Sequence, residues 1–171
     1  MLRHVFLTGP KQIGKSTLLM KVLAQYKGQV GGFRTIKTKK YLTDRYSVHF
    51  CPMGETFFPD QNNLLFLCGK TDTETIARFN RLGHTLRSPS NEASLFVMDE
   101  LGPHETHAIV FCDTILSLLD GPVPIFGVLQ APAASYWPDI IQHPAVQILE
   151  VTTNNRNDPE FIEEILSFLK N

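Results

Sequence analysis

A three-layer α/β fold, with a mainly parallel sheet flanked by helices, is what this sequence predicts, and three observations carry the prediction. Short apolar runs alternate with amphipathic stretches of helical period along the chain. The runs "HVFL", "SLFVM" and "PIFGVL" each stop after a few residues, as buried strands do. A glycine-bounded turn, "GPKQIGKST", joins the first apolar run to the first amphipathic stretch.

Taken in order, "HVFLT" reads as a buried strand and "KSTLLMKVLAQY" as a helix, with Leu18, Leu19, Val22 and Leu23 on one face and Gly28 as its stop. "VGGFRTIK" and "RYSVHF" are rich in branched and aromatic residues and predict a hairpin around the basic loop "TKKYLTD". Between Cys51 and Gly69 only "LLFLC" has strand character, because Pro52, Gly54 and Pro59 punctuate the rest. "TDTETIARFNRLG" predicts a helix capped by Thr71 or Asp72 and stopped by Gly83.

"ASLFVMDE" is a second buried strand, ending in two carboxylates. "ETHAIVFCDTILSLLDG" predicts a helix from Glu105 to a stop at Gly121, and "VPIFGVLQ" a third buried strand. "YWPDIIQH" predicts one short helix, "AVQILEVT" a last strand, and "DPEFIEEILSFLK" a closing helix capped by Asp158 with Pro159 in its first turn. One domain spanning 1–171 is expected, with a β-hairpin insertion around 30–68.

Bulk properties narrow the function. The 171 residues are 43% hydrophobic and 19% charged, ordinary for a globular chain able to bury one core. A net charge of −1 gives no general basic field, so nucleic acid is not expected as a partner. No run approaches the roughly 20 apolar residues of a membrane span. "MLRHVFLTGP" lacks the form of a signal peptide, so no membrane association and a cytoplasmic location are expected. Cys51, Cys68 and Cys112 form no CxxC pair and read as reduced structural thiols.

Gly9, Gly14, Lys15 and Ser16 match G-x-x-x-x-G-K-[ST], the phosphate loop. In such a loop the backbone N–H groups of Gly9, Pro10, Lys11, Gln12, Ile13, Gly14, Lys15, Ser16 and Thr17, Pro10 excepted for want of an N–H, converge on phosphate oxygens. Lys15 bridges the β- and γ-phosphates, the Ser16 hydroxyl ligates Mg²⁺, and the helix start adds its positive end. The acids "DE" at the close of a buried strand stand where ligands gather in open parallel sheets. Asp99 is then the second magnesium residue, and Glu100 the group that orients or deprotonates an attacking water.

The stretches "VFLTGPKQIGKSTL", "GGFRT", "VMDELGPHE" and "VTTNNR" together resemble the cancer-related nucleoside-triphosphatase family, which includes thermophilic NTPases. The resemblance implies a P-loop NTPase fold of the RecA-like type and Mg²⁺-dependent hydrolysis of nucleoside 5′-triphosphates, ATP and GTP among them, to diphosphates with broad base tolerance. It matches Glu105 to a family acid and Asn155 with Arg156 to a late Asn-Arg pair. The chain departs from the family pattern at His104, where a methionine-like residue is expected, at Arg34, where an aromatic is usual, and at "NRN" in place of "NRD".

Further candidates have plainer alternatives. Arg156 either offsets phosphate charge or stacks on a base, with Asn155 at the base edge, or is a loop arginine. Arg34, Lys37, Lys39 and Lys40 either meet an anion or form a solvated hairpin. His104 and His107 have metal-compatible spacing but no third ligand, and Tyr136 and Trp137 line a base pocket or pack. Hydrolysis leads because no acceptor pocket is legible; a small-molecule kinase and a nucleotide-gated module with incidental hydrolysis are the alternatives. A slow turnover and a monomer are expected.

Overall fold

The computed structural model describes residues 2–69, 73–87 and 92–170. One seven-stranded sheet forms the middle layer. Its strands are β1 (His4–Thr8), β2 (Val30–Thr38), β3 (Ser47–Pro52), β4 (Leu64–Leu67), β5 (Leu95–Leu101), β6 (Ile125–Leu129) and β7 (Val146–Glu150). Their order is β4-β3-β2-β5-β6-β1-β7. The five strands from β2 to β7 in that order pair in parallel, while β3 and β4 add antiparallel at the edge beyond β2. Thr38 pairs with Ser47, so the basic loop does close a hairpin; its first strand is also a member of the parallel layer, with Arg34 beside Asp99.

Helices α1 (Lys15–Leu23) and α6 (Pro159–Leu169) cover one face. Their Leu18, Leu19, Val22, Ile165 and Leu166 pack on Val5, Leu7, Val97 and Phe126. Helices α2 (Glu74–Leu86) and α3 (Ile109–Asp120), with the short α4 (Ala133–Tyr136) and α5 (Pro138–Gln142), cover the other. There Phe79, Leu82, Phe111, Ile115 and Ile140 meet Phe6, Phe33, Phe96 and Met98. Successive residues of one strand point to opposite faces, so Val97 and Met98 belong to different halves of the core. This is the expected three-layer α/β architecture.

Helix boundaries differ from the sequence expectation in four places, the first being α1, which ends at Leu23 rather than running on to Tyr26. Gly83 does not stop α2, which runs on to Leu86. A Cβ on Gly83 would lie 2.7 Å from Cα of Phe111, so the glycine is where α2 and α3 approach closely. Helix α3 starts at Ile109 rather than Glu105, because the Glu105 carboxylate turns back to accept from the Gly102 N–H and Thr106 Oγ1 donates to the Pro103 carbonyl. The segment expected as one helix breaks at Trp137 (φ −133°, ψ 58°), since a residue before proline disfavours the helical region. Asp158 does cap α6, accepting from the Glu160 N–H with Pro159 in the first turn. Thr71 and Asp72, the expected caps of α2, lie outside the described residues.

Candidate functional site

The site forms where the C-terminal ends of β1 and β5 come together beneath the start of α1. Gly9 has φ +136°, and a Cβ there would lie 2.7 Å from the Val151 carbonyl oxygen, so only glycine lets the chain leave β1 in this direction. Gln12 (φ 62°) and Gly14 (φ 108°) complete the reversal, and Gly14 is the N-cap residue of α1. The result is a loop wrapped around the helix's positive end, a shape that holds anions.

Lys15, the first residue of α1, is buried to 6% exposure, and its Nζ donates to the carbonyls of Gly9 and Pro10, each at 2.9 Å. Burial pulls its pKa down, while the Glu100 and Asp99 carboxylates oppose the shift. The Oγ of Ser16 donates to Oδ1 of Asp99 at 2.8 Å, tying the phosphate loop to the end of β5. Asp99 is 5% exposed and its pKa is raised by burial, against the Ser16 bond and the charges of Arg34 and Lys15. The Glu100 pKa is also raised, first by burial and further by Asp99, with Lys15 countering. Two acids and a lysine, each shifted by burial and set together at a strand end, mark this corner as the candidate site.

An all-oxygen pair of hydroxyl and carboxylate, 2.8 Å apart, is the donor chemistry that a hard divalent cation prefers. Ser16 and Asp99 therefore fit Mg²⁺. Among the described residues, no group of three or more His, Cys, Asp or Glu converges on a common point. His104, whose spacing from His107 suggested a metal, instead stacks its ring on Phe66 at 4.0 Å between centroids.

The loop from Asp99 to Glu105 is held from below. Oε1 of the buried Glu105 accepts from Gly102 N–H, and the Trp137 indole donates to the Gly102 carbonyl at 3.0 Å. Trp137 is 4% exposed and packs on Phe111, so it braces the acidic loop and the packing alternative holds for it. Burial pushes the Glu105 carboxyl up to about 8, which leaves it neutral at pH 7. Thr35 Oγ1 accepts from the Glu100 N–H at 3.2 Å, a contact the sequence alone did not flag. Only the pairing of β2 with β5 brings residues 65 positions apart together here.

Arg156 Nη1 donates to the Ile13 carbonyl at 3.3 Å, which lays the side chain against the phosphate loop. Asn155, expected at a base edge, closes its own loop instead: Oδ1 accepts from Thr152 N–H at 2.8 Å and Nδ2 donates to the Glu150 carbonyl at 2.9 Å. Arg34 lies beside Asp99, and its buried Nε has no hydrogen-bond partner among the described residues. Lys37 and Lys39 each place Nζ 4.8 Å from the centre of the Tyr46 ring. A cavity of about 380 Å³ opens from Lys15 and Glu100 toward Thr35, Phe66, His104 and Gln130.

A family model described as NTPase matches residues 4–166. Two solved structures share the fold. The crystal structure of THEP1 from the hyperthermophile Aquifex aeolicus is 19% identical, with a TM-score of 0.61 over 98% of this chain and 99% of that one. The solution structure of a human cancer-related nucleoside triphosphatase is 24% identical, with a TM-score of 0.64 over 96% of each chain. No curated protein matches the chain.

Proposed function

The chain belongs to this NTPase family, and on that premise we propose that it hydrolyses nucleoside 5′-triphosphates to diphosphates and phosphate in a Mg²⁺-dependent reaction. The observation that carries the reading is the 2.8 Å bond from Ser16 to Asp99, which joins a phosphate loop to a strand-end acid. Lys15 exchanges its two carbonyl partners for β- and γ-phosphate oxygens. The amides of the 9–17 loop hold the same oxygens, and Arg156 adds charge beside the loop. Ser16 and Asp99 would hold Mg²⁺, which would supply neutralisation of the phosphate charge.

Glu100 orients the attacking water and accepts its proton, at a position fixed by the bond from its N–H to Thr35. Asn155 contributes by shaping the loop that carries Arg156. Base tolerance is broad in this reading, since Asn155 has its amide engaged with backbone. Slow turnover is part of this reading: Arg156 is engaged by Ile13 and Arg34 sits beside Asp99, so neither is assigned to the transferring γ-phosphate. A well-placed arginine there is worth about 10³–10⁵ in rate. No helix among the described residues is long and apolar enough to cross a membrane; a cytoplasmic monomer is part of the proposal. Phosphate release from ATP, GTP, CTP and UTP, with Mg²⁺ and with EDTA, tests it. Release in EDTA equal to that in Mg²⁺, or none with any triphosphate, would overturn it.

A further inference from the structure

A hydrolase needs room beside the γ-phosphate for one water, whose share of liquid volume is about 30 Å³. The cavity that opens from Lys15 and Glu100 holds about 380 Å³, within the range of about 300–1,000 Å³ usual for small-molecule sites. Its lining has two kinds of chemistry. Near the phosphate loop it is polar, with Glu100, Thr35 and Gln130. The same lining holds a column of near-parallel rings. His104 lies 4.0 Å from Phe66 at 25°, and Phe66 lies 6.4 Å from Phe79 at 29°. These rings come from the acidic loop, the edge strand β4 and α2, so three separate elements build the wall.

A ligand for such a space has a flat, weakly polar end and a hydroxyl-bearing end. A simple sugar or amino alcohol would leave the rings unused. A nucleic-acid strand would lack the basic field that a chain of net charge −1 does not supply. Resting on the triphosphatase reading, we propose that this cavity binds a nucleoside, its base against the exposed His104 ring that Phe66 backs and a hydroxyl beside Glu100, and that the protein phosphorylates it.

The acceptor hydroxyl oxygen forms a bond to the γ-phosphorus as the bond from that phosphorus to the β–γ bridging oxygen breaks. The electron pair of the broken bond leaves on the nucleoside diphosphate, and the hydroxyl proton passes to the Glu100 carboxylate. The products are a nucleoside diphosphate and a nucleoside monophosphate. Hydrolysis is the same displacement with water in the acceptor's place.

The test uses the full chain, Mg²⁺ and ATP labelled in its γ-phosphate. Ribo- and deoxyribonucleosides serve as acceptors, with glycerol, glucose and ethanolamine as comparisons. Labelled nucleoside monophosphate should appear while free phosphate falls by an equal amount. Phe66→Leu, which keeps apolar bulk and removes the ring, should raise the nucleoside KM by about 10-fold and leave acceptor-free phosphate release within about twofold. That release also reports folding, and His104→Ala is the second variant should Phe66→Leu lose it. Steady phosphate release with no labelled nucleoside would overturn the inference and leave the hydrolase reading standing. Transfer to glycerol or glucose as efficient as to nucleosides would overturn the nucleoside assignment, and an unchanged KM in both variants would overturn the ring wall. Loss of both release and transfer with every triphosphate would remove the hydrolase reading itself.

Discussion

Ser16 Oγ donates to Asp99 Oδ1 across 2.8 Å, although 83 positions of sequence separate the two residues. The bond is made by the start of α1 and the end of β5, which reach the same corner of the sheet. Ser16→Ala removes a proposed Mg²⁺ ligand and the strongest stabiliser of the Asp99 charge. The Mg²⁺ concentration for half-maximal phosphate release should rise at least about 10-fold, as a magnesium titration would read.

Glu100 and Lys15 separate chemistry from binding. Glu100→Gln keeps size and the N–H bond to Thr35 but cannot take a proton, so the rate should drop roughly 10²–10⁴-fold with triphosphate affinity nearly intact. Lys15→Ala should instead abolish tight triphosphate binding. Single-turnover kinetics beside a fluorescent-nucleotide titration distinguishes the two; an unchanged rate in Glu100→Gln removes the proton-acceptor role.

Glu105 gives stability a falling alkaline side. Its folded pKa of about 8 lies above the ordinary 4.5, so both states are protonated at low pH and the contribution is complete there. Between pH 4.5 and 8 the unfolded chain gives up the proton that the folded one retains, and stability declines. Glu105→Gln should flatten that decline while the carbonyl oxygen still accepts from Gly102. Urea midpoints at pH 5 and pH 8 should differ less in the variant than in the parent.

His4 does the reverse. It is fully buried; the Leu119 carbonyl at 2.8 Å can only accept and the Ile125 N–H at 3.1 Å can only donate, so Nε2 carries the hydrogen and Nδ1 none. Burial lowers its pKa from 6.5 to about 4, with Arg3 and His143 adding to the shift and Asp120 opposing it. Stability is complete above pH 6.5 and is lost as pH falls toward 4, where the unfolded chain binds the proton first. His4→Gln should be less stable than the parent at pH 7, with the deficit shrinking by pH 4.5 in chemical denaturation.

At Gly83 two effects compete. Alanine improves helix propensity by about 1 kcal/mol, whereas overpacking costs about 1–3 kcal/mol. The added Cβ would stand 2.7 and 2.8 Å from backbone atoms of Phe111, which cannot swing aside as a side-chain end could. Because those atoms are backbone, overpacking should win, with Gly83→Ala destabilised by up to about 2 kcal/mol in urea unfolding.

These cases also mark what the sequence discloses. The alternation of strand and helix is legible because buried parallel strands leave compact apolar runs, and the phosphate loop because its residues are contiguous. Asp99 and Glu100 follow from their place at a strand end. Gly83 is illegible because its reason lies on another helix, and a glycine late in a helical pattern has the same signature as a stop. Asn155 and Trp137 are visible as residue types, but whether they face a ligand or brace a loop depends on neighbours outside their own segment. The cavity draws Thr35, Phe66, Glu100 with His104, and Gln130 from four separate stretches, so no single motif announces it.

The sheet order has one more effect. The corner proposed to hold phosphate sits mid-sheet, under α1 and between strands paired on both sides, whereas Phe66 lies on β4, an edge strand. Mutations along that rim can reshape what enters the cleft without disturbing the machinery that handles the anhydride. Divergence among descendants of this chain can thus proceed by trading guests at a fixed reactive corner.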